Sequence, residues 1–348
     1  MTENTNTSQT VPQYTAKDFA SDRDVRWCPG CGDYSVLAQV QRTFPQILAE
    51  HNQKKENIVF ISGIGCSSRF PYYMETYGFH TIHGRATAIA SGVKVANPNL
   101  SVWVATGDGD CLSIGGNHFI HLLRRNIDVN ILLFNNRIYG LTKGQASPTS
   151  EHGKVTKSSP FGSIEYPVNP VSLALGMEGS FIARSMDKDP KHLQQMILRC
   201  YDHYGTTLLE ILQNCVIFND GAYNLYTNKE TRDDHVIYIE NEKPLVFGKN
   251  KEKGIKLDGW KPVVINFNDG RHSINDALIY DETSKDLAFI MSSFIDDPNL
   301  PMPLGVFLAR KRNRYEVEME NQIAMAKEKY GAGNIEELLK GSSSYDIK

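Results

Sequence analysis

Two short clusters of metal-binding residue types stand directly after apolar runs. Val102-Trp103-Val104-Ala105-Thr106 leads into Gly107-Asp108-Gly109-Asp110, and Ile131-Leu132-Leu133-Phe134 leads into Asn135-Asn136. A carboxylate, an amide oxygen and a free backbone carbonyl are hard donors suited to Mg²⁺, with the other octahedral positions left to phosphate oxygens and water. Gly107 and Gly109 would let the backbone approach a diphosphate, and a helix starting at Ser113 would aim its positive end at it. Gly, Asp and Asn also make ordinary turns. What favours a ligand site is their place after two strands, with the 25 residues between Gly109 and Asn135 long enough for one right-handed helical crossover. Asp108 and Asn136 then fall at the carboxyl ends of nearby parallel strands, where open α/β sheets bind ligands.

The six cysteines carry a second chemistry. Trp27-Cys28-Pro29-Gly30-Cys31-Gly32 is a tight turn presenting two thiols. It admits a redox-active disulfide, a structural zinc site or an iron–sulfur cluster whose thiolates come from distant segments. Thioredoxin-type motifs follow a strand, whereas here only a polar segment precedes, and zinc needs a second close Cys/His pair that the sequence lacks. Cys200 sits on the apolar face of a helix, Cys111 follows the Asp108 loop, Cys66 lies in a Gly-rich turn, and Cys215 ends a strand. The residues alone do not choose among these four.

The elements that must hold these groups alternate in type. Ile58–Ser62, Ser101–Thr106, Val129–Phe134, Phe181–Arg184 and Thr207–Leu212 read as buried strands. Between them lie helix-length segments at Asp33–Glu50, Gly84–Ala96, Ser113–Arg125 and Pro190–Tyr204, the first expected to kink or break at Pro45. The fold class expected is α/β, a parallel sheet with helices on both faces. Eight of the first ten residues are Thr, Asn, Ser or Gln, so 1–24 reads as a disordered polar tail. Residues 25–220 read as the ligand-binding domain. Residues 221–348 read as an irregular extension ending in charged helices over 312–339, without an assigned role.

Composition excludes several classes. Thirty-seven Lys+Arg against forty Asp+Glu leave −3, no global field for nucleic acid or an anionic membrane. No apolar run approaches the ~20 residues of a membrane span. Without a signal-like N-terminus or a disulfide framework, the cytoplasm is the expected compartment.

Gly-Asp-Gly leading to Asn-Asn resembles the thiamine diphosphate-binding motif. Taken in order, Cys28-Pro-Gly-Cys31-Gly, Gly63-Ile64-Gly65-Cys66-Ser67, His83-Gly84-Arg85-Ala86, Gly107-Asp-Gly-Asp110 and Asn135-Asn136-x-x-Tyr139-Gly140-Leu141-Thr142 resemble the β subunits of 2-oxoacid:ferredoxin oxidoreductases. The similarity covers about residues 24–220. It implies the diphosphate-type domain of the thiamine diphosphate fold, with thiamine diphosphate, Mg²⁺ and one [4Fe–4S] cluster as cofactors. By motif, Asp108, Asn136 and the carbonyl of Ile138 would bind Mg²⁺, and Cys28, Cys31, Cys66 and Cys215 would bind the cluster, leaving Cys111 and Cys200 as non-ligands. Ile64, Gly65, Cys66, Ser67, His83, Gly84, Arg85 and Ala86 would line the thiamine. Gly109 and Asp110 would meet the diphosphate, with Gly140 and Leu141 closing over it.

The implied reaction is CoA-dependent oxidative decarboxylation of a 2-oxoacid with single electrons passed to ferredoxin, or its reductive reverse. A lysine at position 143 resembles members acting on 2-oxoglutarate, so Lys143 is the candidate for the distal carboxylate. Arg69 is a second cation, for a carboxylate or the partner subunit. Pyruvate or a broad set of 2-oxoacids is the alternative substrate. A colourless CxxC thiol–disulfide oxidoreductase and a non-catalytic partner-binding subunit are the alternatives of other classes. The glutamate that activates thiamine is not placed in this chain; the family carries it on a separate α subunit, which implies an α₂β₂ assembly.

Overall fold

The computed structural model describes residues 12–345 and 347. Eleven strands occur among them: β1 (Ile58–Ser62), β2 (Tyr77–His80), β3 (Ser101–Gly107), β4 (Val129–Asn135), β5 (Phe181–Met186), β6 (Thr207–Leu212), β7 (Val236–Ile239), β8 (Val246–Phe247), β9 (Lys253–Asp258), β10 (Lys261–Asn266) and β11 (Met302–Ala309). Eight form one sheet in the order β2-β1-β3-β4-β6-β5-β11-β7. The first six are mutually parallel, β11 runs antiparallel to β5, and β7 lies parallel to β11.

Alternation along the central strands fills two cores. Val102 and Val104 of β3 and Ile131 and Leu133 of β4 face one core, while Trp103, Ala105, Leu132 and Phe134 face the other. A strand buried on both faces needs an unbroken apolar run, which is why these segments show no polar alternation. The helices Ala86–Ala96 and Gly116–Arg125 cover the first face, and Asp33–Glu50 with Pro190–Asp202 covers the second. Truncating Leu132 or Phe134 to Ala would cost about 2–5 kcal/mol each.

Four expectations are corrected. The helix Asp33–Glu50 continues through Pro45. Phe44, Ile47 and Leu48 beside it are buried, and their packing offsets the missing backbone donor. The helix expected from Ser113 starts at Gly116, after a π-turn over Asp110–Ile114. The polar tail is shorter than residues 1–24: Ala16–Phe19 forms a 3₁₀ turn, Phe19 is fully buried against Phe44, and Ala20 pairs with Met74. One large aromatic anchors an otherwise polar segment; residues 1–11 lie outside the described residues.

Finally, the stretch after 220 is not a separate appendage. Its apolar run Met302–Ala309 is buried and continues the main sheet past β5, which would otherwise present an open edge. The small antiparallel sheet β10-β9-β8 sends Phe247 and Ile255 into the first core. Charged helices follow at Tyr315–Tyr330 and Ile335–Lys340, with Glu316 their one buried residue. No helix among the described residues is long and apolar enough to cross a membrane.

Candidate functional site

The carboxyl ends of β1, β3 and β4 open into one cavity of about 520 Å³. Asp108 follows β3 and is 2% exposed. Its Oδ2 accepts hydrogen bonds from Ser147 Oγ and Thr149 Oγ1, both at 2.5 Å, and neither hydroxyl touches Oδ1. Burial still pushes the Asp108 carboxyl up to about 6, so a cation beside it would relieve the cost of keeping it charged. Asn136 donates from Nδ2 to Gln213 Oε1 at 2.8 Å, which turns its Oδ1 to the Ile138 amide side at 3.2 Å. Asp108, Asn136 and Ile138 all line the cavity. Carboxylate, amide and carbonyl oxygens together make a donor set that fits Mg²⁺.

Asp110 is turned away from that set. Its Oδ1 accepts from the Ile64 amide at 3.1 Å, the Gly84 amide at 2.8 Å and His83 Nδ1 at 2.6 Å, and its Oδ2 accepts from Thr106 Oγ1 at 2.7 Å. Its carboxylate pins the loop after β1 and the loop before the helix Ala86–Ala96 to the end of β3, while the residue still lines the cavity. Gly109 lines the cavity and is also constrained by a neighbouring ring. A Cβ there would stand 2.1 Å from the Tyr139 ring, whose hydroxyl donates to the Gly109 carbonyl at 3.0 Å. Gly84 combines φ +69° with a Cβ position 2.6 Å from the Gly115 amide. Its constraint comes from the turn preceding the helix Gly116–Arg125.

Ile64, Gly65, Cys66, Ser67 and His83 line the cavity, as do Gly140 and Leu141 on the opposite loop. Gly84, Arg85 and Ala86 do not. Arg85 bonds the carbonyl of Gly84, and Ala86 is buried in the first core. Arg69 lines a second cavity of about 400 Å³ that shares Ile64, Gly65 and Leu141 with the first. Its guanidinium has no hydrogen-bonded or ion-paired acceptor among the described residues. Lys143 is exposed, holds φ +76° in its turn, and lines neither cavity.

The six cysteines occupy two kinds of setting. Cys111 and Cys200 are buried in separate cores. Cys28, Cys31, Cys66 and Cys215 come from three segments tied together by hydrogen bonds: the Gly32 amide donates to the Asn214 carbonyl at 3.2 Å, and Trp27 Nε1 donates to the Cys66 carbonyl at 2.7 Å. A Cβ on Gly140 would stand 3.4 Å from Cys66 Sγ and 3.7 Å from Cys215 Sγ. Burial, the Asp33 carboxylate and the neighbouring thiols push Cys66 up to about 12, and Cys31 is raised further, chiefly by its burial. Among the described residues no three such side chains crowd around a single-ion position. A cubane cluster spaces its thiolates wider than one ion does, and it withdraws the charge that makes neighbouring thiolates costly. The four-thiol set fits such a group.

Three contributors carried no signal in the residues read above. Ser147 and Thr149 belong to an ordinary-looking Ser-Pro-Thr-Ser stretch, and Gln213 is a polar residue after a strand. Gln213 also donates from Nε2 to Cys31 Sγ at 3.3 Å, so one amide touches both halves of the site.

Comparison with known proteins identifies the family. Residues 63–211 match the family described as thiamine pyrophosphate enzyme, C-terminal TPP binding domain. The chain is 48% identical over 351 aligned residues, covering 100% of its length and 92% of the relative's, to the 2-oxoglutarate oxidoreductase subunit KorB of Mycobacterium tuberculosis. It is 45% identical over 60% of its length, and 63% of the relative's, to the 2-oxoacid:ferredoxin oxidoreductase 1 subunit beta of Aeropyrum pernix. A solved 2-oxoglutarate:ferredoxin oxidoreductase from Magnetococcus marinus, with 2-oxoglutarate, coenzyme A and succinyl-CoA bound, superposes with a TM-score of 0.72. The identity is 30%, and the match covers 93% of this chain and 94% of that one.

Proposed function

The chain belongs to the β subunits of 2-oxoacid:ferredoxin oxidoreductases, and from that premise we propose how its residues divide the work of a 2-oxoglutarate:ferredoxin oxidoreductase. It binds thiamine diphosphate in the domain that spans the cavity. When bound, that cofactor supplies the nucleophilic carbon and the electron sink for decarboxylation. Asp108, Asn136 and the Ile138 carbonyl hold Mg²⁺ against its diphosphate. Cys28, Cys31, Cys66 and Cys215 hold one [4Fe–4S] cluster. Cys28, the exposed member, marks the side where ferredoxin collects single electrons.

One observation carries this reading: Gly140 lines the cavity and stands against Cys66 and Cys215. The thiol set and the cofactor space therefore adjoin at Cys66 and Gly140, which suits electron exit. A thiol–disulfide oxidoreductase needs an activated thiolate, whereas burial raises the Cys31 thiol.

No glutamate lines the cavity among the described residues. The activating carboxylate comes from an α subunit, in an α₂β₂ assembly that also admits coenzyme A and the 2-oxoacid. Between the two candidate cations for the distal carboxylate of 2-oxoglutarate, Arg69 has the better placement, because it is partly buried, unpaired and next to the cofactor cavity.

The test is anaerobic co-expression with the α subunit. The complex should be brown with about four irons per β chain and should reduce ferredoxin only when 2-oxoglutarate and coenzyme A are both present. A colourless, iron-free complex, or reduction that ignores coenzyme A, would overturn the proposal.

A further inference from the structure

Five titratable side chains line the cofactor cavity: Cys66, His83, Asp108, Asp110 and Tyr139. Four are committed. Cys66 faces the thiol set, Asp108 the metal position, Asp110 accepts four hydrogen bonds, and the Tyr139 hydroxyl donates to the Gly109 carbonyl. His83 differs. Its Nδ1 lies 2.6 Å from Asp110 Oδ1, and its Nε2 has no protein partner among the described residues.

An ionised carboxylate only accepts, so Nδ1 is the donor and carries its hydrogen. The ring is braced from below by that bond and flanked by the Tyr139 ring, 6.4 Å away edge-on. Its side chain remains 39% exposed, towards the cavity. A histidine oriented by a buried carboxylate through one nitrogen, with the other nitrogen free in a reaction space, is the arrangement of a proton-transfer group.

We infer that His83 is the acid–base residue of this subunit, carrying a proton on Nε2 to and from the 2-oxo oxygen of the substrate, and that Asp110 is its positioning residue. The inference rests on the thiamine-dependent reading of the cavity. When bound, the cofactor would supply the electron pair to the 2-oxo carbon, and the C=O π electrons would pass to the oxygen that His83 faces. The Nε2–H bond of the His83 imidazolium then breaks and an O–H bond forms. The ring is left neutral with Nδ1–H still on Asp110, and Nε2 recovers a proton from solvent. In the reverse direction the neutral Nε2 takes that proton back.

The experiment compares wild-type, His83→Ala and His83→Gln complexes with the α subunit. Thiamine diphosphate affinity in the presence of Mg²⁺ and iron content are measured alongside kcat and KM for 2-oxoglutarate. Both variants should keep cofactor affinity and KM within about threefold and full iron, while kcat falls roughly 10²- to 10⁴-fold. Added imidazole should restore His83→Ala at least tenfold and leave His83→Gln, whose pocket is filled, unchanged. A kcat within threefold of wild type in either variant would overturn the assignment. So would a loss of cofactor affinity matching the loss of rate with no imidazole rescue, which would make His83 a cofactor-holding residue. Wild-type complex lacking bound thiamine diphosphate or 2-oxoglutarate turnover would instead sink the underlying proposal.

Discussion

Asn136 donates its side-chain amide to Gln213 Oε1 at 2.8 Å, and Gln213 is 1% exposed. The other end of the Gln213 amide donates to Cys31 Sγ at 3.3 Å and to the Asn214 carbonyl. One side chain thus orients the Asn136 amide at the cavity and supplies a donor to the Cys31 sulfur. Buried amides of this kind set both the geometry and the electronics of the groups they serve.

Gln213→Leu should weaken both halves together. Loss of the bond leaves the part-buried Asn136 amide unpaired, about 1–3 kcal/mol at most, or up to roughly 150-fold in thiamine diphosphate affinity. Removing an N–H donor from sulfur should also shift the cluster potential negative. Cofactor titration and a redox titration followed by electron paramagnetic resonance read the two effects. An unchanged potential would place Gln213 outside the cluster's surroundings.

Thr149→Val should loosen cofactor binding by a similar factor, because Asp108 Oδ2 loses one of its two hydroxyl donors. Thr149→Ser keeps the hydroxyl and should behave as wild type. Retention of thiamine diphosphate after desalting separates the two, and equal losses would show that shape alone matters at position 149.

Cys28→Ser and Cys215→Ala should lose the cluster, seen as lost iron and lost brown colour. Cys200→Ser should retain full iron, since that thiol is fully buried as a small apolar group of the second core. Full iron in Cys215→Ala would mean that the fourth ligand lies elsewhere.

Arg69→Ala should cost roughly 10- to 150-fold in kcat/KM on 2-oxoglutarate, the value of one charge-assisted hydrogen bond, and much less on pyruvate. Lys143→Ala should change either substrate by less than about threefold, as expected for an exposed loop lysine. A selective loss in the lysine variant would return the distal carboxylate to Lys143.

Acid should destabilise the chain through His192. This residue is buried against Ser185 Oγ at 2.8 Å, and burial holds its imidazole down at about 4. The unfolded chain, with a value near 6.5, binds that proton first as pH falls. Stability is therefore complete above about 6.5 and is lost as pH drops towards 4, on the order of 3 kcal/mol from this group. Urea unfolding at pH 5 and pH 7.5 should show a smaller pH difference in His192→Gln than in wild type. An identical difference would assign the acid sensitivity to other groups.

The parallel sheet and the positions of Asp108, Asn136 and Cys66 were legible in the residues because strands buried on both faces require unbroken apolar runs, and ligand loops follow their ends. Val102–Thr106 and Ile131–Phe134 are such runs, and the Gly-rich turns after them interrupt any periodic pattern. Pairing the cysteines into a set of four came from motif order, since spacing alone left Cys66, Cys111, Cys200 and Cys215 equivalent.

Other features were decided only by the tertiary structure. That Asp110 braces His83 instead of reaching outward depends on the Ile64, Gly84 and Thr106 donors, which are distant in sequence or ordinary in type. The Ser147 and Thr149 hydroxyls become partners of Asp108 only when the chain returns from the helix Gly116–Arg125 and β4 to the end of β3. Met302–Ala309 joins the main sheet because the free edge of β5 offers unpaired backbone groups to the next apolar run that reaches it. Periodicity records which face of one element is apolar. It holds no information on which distant donor will meet a buried carboxylate, because that choice is made by packing among elements the local sequence does not contain.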